Sequence, residues 1–416
     1  SIIELVEEAQ DNKAPSEAFI DRFAKIYTPF VFLGAILIMI IPPVLQLGSW
    51  GEWFYKGLEL IVIACPCALV ISTPVAIVTA IGNAARNGVL IKGGVFLEQA
   101  GKIEVVAFDK TGTLTKGEPV VQEFQVFFGE GDQALRMASS LERHSSHPLA
   151  NAIVAFATKE GVSPIEADTI MNRVGNGVTG EFGRSTYHIG GTKWLSEMRY
   201  DIDTLDVDIL KLEQQGYTVV WLADETHLLA MFCLSDAIRE ESVEALHRLK
   251  DKVGIKRLVM VTGDNEGAAT HVSRTLPLDE VHSQLLPQDK VHVIDHLKKQ
   301  QLWTAMVGDG INDAPAFVTA DLSIAMGGAG TDTALETADI VLMADNLKKL
   351  PYTFDLSKAT LTIIKQNIAF SILIKVVAMS LVFPGWLTLW MAVLSDTGAA
   401  VLVTLNALRL LKQRKI

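Results

Sequence analysis

Cysteine is scarce: the chain has three in 416 residues, two in Cys65-Pro66-Cys67 and one alone at Cys233. That excludes a disulfide framework and fits a reducing cytosol. Positive charge is short as well, with 36 Lys and Arg against 48 Asp and Glu, a formal net charge of -12. Aromatics make up 7%, and no basic patch or interleaved aromatic stripe stands out, so a nucleic-acid partner is not expected. No secretory signal is expected, because the opening residues are acidic and polar, and no internal repeat or low-complexity tract is seen. What abounds is apolar: 49% of residues are hydrophobic, and mean hydropathy is +0.30. The length suggests two or three domains.

The apolar excess sits in a few runs. Ile26 to Leu47 is almost wholly apolar and uncharged, long enough for a bilayer, which needs about 20 residues. A second span runs from about Gly57 to Ile81, with Glu59 near its outer end and Cys65-Pro66-Cys67 inside. Asn367 to Phe383 and Trp386 to Leu408 form another pair, broken at Pro384-Gly385. Each of these two holds one interior charge, Lys375 and Asp396. Two spans on either side of the large polar segment put both of its flanks on one side. Those flanks carry Arg22, Lys25, Arg86, Lys92, Lys348, Lys349, Arg409 and Lys412, against only Lys56 opposite. The positive-inside rule makes the large segment cytoplasmic.

That segment reads as α/β. Three continuous apolar runs, as in buried parallel strands, end at Asp109, at Thr262-Gly263-Asp264 and at Gly308-Asp309. The interval 120–235 lacks this pattern and reads as an inserted domain. An aspartate at a strand end can act as a nucleophile and form an acyl phosphate. Asp309 and Asp313 offer carboxylates to Mg²⁺, a hard cation that prefers oxygen, and Lys290 can set a point charge on a phosphate. Alone, such an aspartate is more often a cap or turn residue.

The ordered set Asp109-Lys110-Thr111-Gly112-Thr113-Leu114-Thr115, Thr262-Gly263-Asp264 and Gly308-Asp309-Gly310-Ile311-Asn312-Asp313 resembles the P-type ATPases. The resemblance implies a haloacid-dehalogenase-type, Rossmann-like phosphorylation domain with an inserted α+β nucleotide-binding domain, on transmembrane helices. It implies that Asp109 takes the γ-phosphate of ATP, with Asp109, Thr111, Asp309 and Asp313 holding Mg²⁺. Lys110, Thr262, Gly263, Asp264, Lys290 and Asn312 would complete the phosphate site. Thr111 stands where soluble relatives of this fold have a second Asp, which favours a long-lived phosphoenzyme. Glu142, His147 before Pro148, Gly175-x-Gly177 and Gly190 look like the adenosine pocket of the heavy-metal branch; a packed or capping His and a plain turn are the bland readings. Thr179-Gly180-Glu181 copies the actuator-domain triplet of these pumps in the wrong place and receives no catalytic role. Asp236 and Arg239 read either as a linker ion pair or as a nucleotide or hinge contact.

At ~1.5 Å per residue, Cys65, Cys67, Lys375 and Asp396 fall at similar depth in their spans. Intramembrane charges are costly and default to function, although a buried salt bridge fixing helix register is the alternative. Two thiolates and a carboxylate suit Zn²⁺, Cd²⁺ or Pb²⁺, and protonated Lys375 has no lone pair, so it serves as a counter-charge. Copper exporters of this branch carry Tyr-Asn and Met/Ser patterns in the last two spans, and cobalt-type members replace the first cysteine with Ser. Cys-Pro-Cys with Lys375 and Ser395-Asp396-Thr397-Gly398 resembles the zinc/cadmium/lead-exporting subgroup. This implies ATP-driven export from the cytoplasm by a monomer in the bilayer, as in a bacterial inner membrane. Copper export and a membrane-anchored phosphohydrolase are the alternatives. Expected boundaries are 1–25 as lead-in from an absent actuator domain, 26–81 as two spans, 82–119 and 236–345 as the split phosphorylation domain, 120–235 as the nucleotide domain, and 346–416 as a membrane-proximal helix with the last two spans.

Overall fold

The computed structural model describes residues 14–412 except 146, 174–175, 203–204, 206, 265, 310–312 and 328–335. These fall into two compact units, Ser1–Glu104 with Leu302–Ala305 and Ala320–Ile416, and Val105–Gln301 with Met306–Thr319.

The first unit holds the long apolar helices. Pro15–Val44, Trp50–Arg86, Lys349–Val382 and Leu389–Lys412 are each long and apolar enough to cross a membrane. Their surfaces are apolar where a soluble helix would be polar: Trp390 is 85% exposed, and Phe30 and Leu394 also face outward. The second stretch is two helices, Trp50–Ala64 and Cys67–Arg86, separated at Cys65-Pro66. Proline lacks the N–H that would continue the helix and its ring clashes with the preceding turn. Ser49 caps the first of these through Glu52 N, and Thr388 caps Leu389–Leu408 through Met391 N.

Two helices are longer than hydropathy alone suggests. Pro15–Val44 begins well before Ile26, and Lys349–Val382 runs through both the polar approach and the apolar span. Apolar residues mark where lipid begins, whereas a helix continues into water until something stops it. Strands β1 (Val89–Ile91), β12 (Leu322–Gly327) and β13 (Ile340–Met343) also belong to this unit, with β12 and β1 flanking β13.

In the second unit, β2 (Val105–Asp109) is central. It lies beside β9 (Arg257–Val261), which lies beside β10 (Glu280–His282), all parallel, and β11 (Thr304–Gly308) is on its other side. Every residue of β2 is buried, as a strand covered on both faces requires. The chain leaves this sheet into a six-stranded antiparallel sheet of order β3-β8-β7-β6-β5-β4, from β3 (Thr115–Val126) to β8 (Leu228–Ile238). The strands between are β4 (Thr169–Arg173), β5 (Gly177–Phe182), β6 (Ser185–Gly191) and β7 (Thr218–Ala223). Helices Gly131–Glu142 and Pro148–Lys159 cover one face through Leu141, Ile153, Ile189 and Phe232. Trp194, Trp221 and Cys233 pack together in a separate cluster. Burial pushes the Cys233 thiol up to about 11, so this cysteine is inert core.

Candidate active site and metal centre

The residues expected to form the phosphate site are brought together by strand ends. Asp109 closes β2, and Lys110 starts an irregular turn in which Gly112 takes φ 73°. Lys290, from helix Pro287–Lys299, donates to Asp109 Oδ1 at 2.6 Å and to Asp313 Oδ1 at 2.7 Å. Lys110 pairs with Asp264 at 2.5 Å. Thr262 and Thr111 donate to the same carboxylate at 3.0 and 3.5 Å. A Cβ on Gly308 would meet Asp313 Oδ2 at 2.5 Å, so a glycine is needed where β11 ends. A Cβ on Gly112 would lie 3.5 Å from Asp309 Oδ2, which places Asp309 at the same turn.

Two carboxylates share one ammonium here. Burial, then the Asp313 and Asp309 charges, raise Asp109 to about 7 against the pull of Lys290. Burial raises Asp313 too. Burial opposes the charge of Lys290, but Asp109 and Asp313 outweigh it and hold its pKa up. Asp313 Oδ2 is buried without a hydrogen-bond partner among the described residues.

The residues expected to bind nucleotide lie in the antiparallel domain. Glu142 ends its helix at 9% exposure, and burial raises it to about 7. His147 is an N-cap: its Nδ1 accepts from Leu149 N at 3.2 Å, and the residue is exposed. Gly177 and Gly190 are directly paired on β5 and β6. A Cβ on Gly177 would fall 2.2 Å from Ile189 O, and one on Gly190 2.4 Å from the Trp194 ring. The approach of β6 and Trp194 therefore demands both glycines. Gly175 and Asn312 lie outside the described residues.

In the first unit, ligand atoms of Cys65, Cys67 and Asp396 all lie within 4.8 Å of one another. Lys375 donates to Ile63 O at 2.8 Å, to Asp396 Oδ1 at 3.1 Å, and to Cys65 O. Its ammonium thus takes up carbonyls exposed at the Pro66 break. The expectation of two separate thiolates differs from the structure, which joins Cys65 to Cys67. The Pro66 turn brings their Cα atoms to 5.4 Å, a separation that permits a bridge; only the reduced pair is a ligand set.

A haloacid dehalogenase-like hydrolase profile matches residues 103–321. A "Probable cadmium-transporting ATPase" of Alkalihalophilus pseudofirmus is 48% identical over all of this chain and 58% of its own length. The "Zinc/cadmium/lead-transporting P-type ATPase" of Escherichia coli is 43% identical over 99% of the chain and 55% of its own. A crystal structure of a zinc-transporting PIB-type ATPase in the E2.Pi state superposes with TM-score 0.81 at 43% identity, covering 99% of this chain and 66% of that one. A CPx-ATPase catalytic domain matches 66% of this chain and 98% of its own at 30% identity, with TM-score 0.54. The chain belongs to the haloacid dehalogenase-like hydrolases, in their heavy-metal P-type ATPase branch. It spans a little over half the length of the curated relatives it matches.

Two residues of this P-type ATPase chain carry more than their motif suggested. Asp236 accepts from Thr115 Oγ1 and Gly117 N. Arg239 donates to Thr115 O at 2.9 Å and Gly112 O at 3.1 Å. Both therefore grip the backbone of the Asp109 turn. Apart from Thr115 Oγ1, the bonds run to main-chain atoms of a segment more than a hundred residues away, and no sequence pattern announces them. Thr179-Gly180-Glu181 lies inside β5, with Thr179 bonded to His188. That is a place in a sheet, far in the chain from the phosphate loop.

Proposed function

We propose that the protein containing this chain couples ATP hydrolysis to export of Zn²⁺, Cd²⁺ or Pb²⁺ from the cytoplasm, through phosphorylation of Asp109. The observation that carries this reading is the convergence of Cys65, Cys67 and Asp396 beside Lys375, within helices fit to span a membrane. The ion is cargo, taken by two thiolates and a carboxylate. Lys375 balances Asp396 when no ion is present. The zinc, cadmium and lead named for the relatives agree with this donor set.

ATP binds in the antiparallel domain with Glu142 and His147 orienting it. The ionised Asp109 carboxylate attacks the γ-phosphorus; the new O–P bond forms as the bond to ADP breaks. Lys290 offsets charge between the carboxylate and the incoming phosphoryl group. Lys110, Thr111, Thr262 and Asp264 shape the rim, and Arg239 and Asp236 hold the turn. Magnesium fits the donor set: Asp109, Asp309 and Asp313 are hard oxygen ligands, and Asp313 Oδ2 is buried without a hydrogen-bond partner among the described residues. When bound, it neutralises phosphate charge.

The full-length protein in vesicles, given γ-labelled ATP, tests this. Zn²⁺, Cd²⁺ or Pb²⁺ should stimulate acid-stable labelling that Asp109→Asn abolishes. Stimulation by Cu⁺ alone would overturn the ion assignment. Hydrolysis untouched by Cys65→Ala, Cys67→Ala and Asp396→Asn would favour a tethered phosphohydrolase instead.

A further inference from the structure

Glu59 is 1% exposed and lies inside the first half of the helix pair that carries Cys65-Pro66-Cys67. Its Oε1 is buried with no hydrogen-bond partner among the described residues. The nearest cation along the helix, Lys56, gives its ammonium to Glu52 at 2.9 Å. The other cation nearby, Lys375, is committed to Ile63 O, Cys65 O and Asp396. A buried carboxylate at membrane depth is costly when uncompensated, and an orphaned polar atom of this kind calls for a ligand.

The direction in which Glu59 points follows from its neighbours one turn away on the same face. Four residues before it, the Tyr55 hydroxyl accepts from Leu389 N at 3.1 Å. Four residues after it, Ile63 packs with Ala378, Val382, Leu387 and Ala392. The face of Glu59 is therefore turned toward helices Lys349–Val382 and Leu389–Leu408, which also supply Lys375 and Asp396. Six residues separate Glu59 from Cys65, a rise of about 9 Å, on the side away from the Lys- and Arg-rich flanks. Ala392, one turn before Asp396, packs with Ile63, one turn after Glu59. The carboxylate thus sits just outward of the metal cluster, in line with it.

We propose that Glu59 is a second, outward oxygen ligand for the divalent ion. It receives the ion as this leaves Cys65, Cys67 and Asp396, and holds it before release. A single carboxylate among apolar side chains binds a borderline-soft ion more weakly than two thiolates and a carboxylate do, so transfer from the cluster requires the cluster to loosen first. Placed there, the carboxylate gives the ion an oxygen partner beside the apolar cluster of Ile63, Ala378, Val382, Leu387 and Ala392.

This inference rests on the transport reading, and the test separates the two. Glu59→Gln and Glu59→Asp are compared with the parent in the full-length protein, reconstituted in zinc-loaded and zinc-free vesicles. Glu59→Gln should leave the zinc concentration for half-maximal Asp109 phosphorylation nearly as in the parent, while zinc flux falls about ten-fold or more and phosphoenzyme accumulates. Glu59→Asp, keeping the carboxylate, should recover part of the flux. Parent-like flux in Glu59→Gln would mean a merely tolerated buried acid and would overturn the proposal. So would loss of phosphorylation in Glu59→Gln, which would assign the carboxylate to the loading cluster or the fold. A parent that shows no zinc-dependent phosphorylation defeats the transport reading itself.

Discussion

At the residue scale, Lys290 holds two buried carboxylates at hydrogen-bond distance. Replacing it with Met keeps the stem and removes the charge, leaving Asp109 and Asp313 to face each other in a buried site. Breaking one side of such a network costs about 3–5 kcal/mol. The full-length Lys290→Met protein should therefore show a lower Tm and no Asp109 labelling, whereas Lys290→Arg should recover more stability than labelling. Glu142 carries a different signature. Its folded pKa, about 7, lies above the ordinary value of 4.5. The stability it permits is thus complete below pH 4.5 and is lost as pH rises through about 7. Glu142→Gln removes the titration: at pH 8 the variant's nucleotide domain should be more stable than the parent's by up to roughly 3 kcal/mol. At pH 4.5 the two should melt together, and a pH-independent difference would refute the assignment to Glu142. Both residues could be singled out in the sequence, Lys290 by its place after Pro287-Gln288-Asp289 and Glu142 by its distance from His147-Pro148. Neither could be seen as a charge problem there, because the burial that creates the problem comes from strands and helices far apart in the chain.

At the scale of elements, the break between Trp50–Ala64 and Cys67–Arg86 is what builds the candidate metal centre. Pro66 was legible as a helix breaker, and Lys375 and Asp396 as costly charges at matching depth. What could not be read was where the freed carbonyls go, because a lysine bonding main-chain oxygens across three hundred residues has no sequence signature. The span limits were legible only to the edge of the apolar runs, since Ser16 to Lys25 and Leu350 to Gln366 are helical for reasons of backbone continuity, not hydropathy. The Lys375 network has a measurable consequence. Lys375→Ala should destabilise the protein by about 3–5 kcal/mol, because it strands Asp396 and two carbonyls at once. Adding Asp396→Ala should cost less than the sum of the two single changes, with a coupling of about 1–3 kcal/mol. Thermal unfolding of the four proteins in one detergent measures this cycle. Additive losses would mean that the 3.1 Å contact is incidental.

For the whole molecule, a pump must make occupancy of one site alter another, and thermodynamics constrains how. If zinc at Cys65, Cys67 and Asp396 changes the affinity of the Asp109 site for a phosphoryl mimic by some factor, the mimic must change zinc affinity by that same factor. The symmetry holds for binding and not for rates, so ATPase stimulation alone cannot test it. Beryllium fluoride, which sits on an aspartate as a phosphoryl group does, provides an equilibrium probe. Zinc affinity of the full-length protein should fall by about ten-fold or more when beryllium fluoride is bound, a coupling of about 1.4 kcal/mol within the usual range for linked sites. Beryllium fluoride should bind correspondingly more weakly in saturating zinc. Asp109→Asn should abolish both shifts while leaving zinc affinity without the mimic as in the parent, because the carboxylate it removes is not a zinc ligand. Asp396→Asn should weaken zinc binding directly. Equal zinc affinity with and without the mimic would mean that the two chemistries share a chain without sharing free energy. In that case the cysteine cluster would be a metal site on a phosphohydrolase rather than the cargo site of a pump.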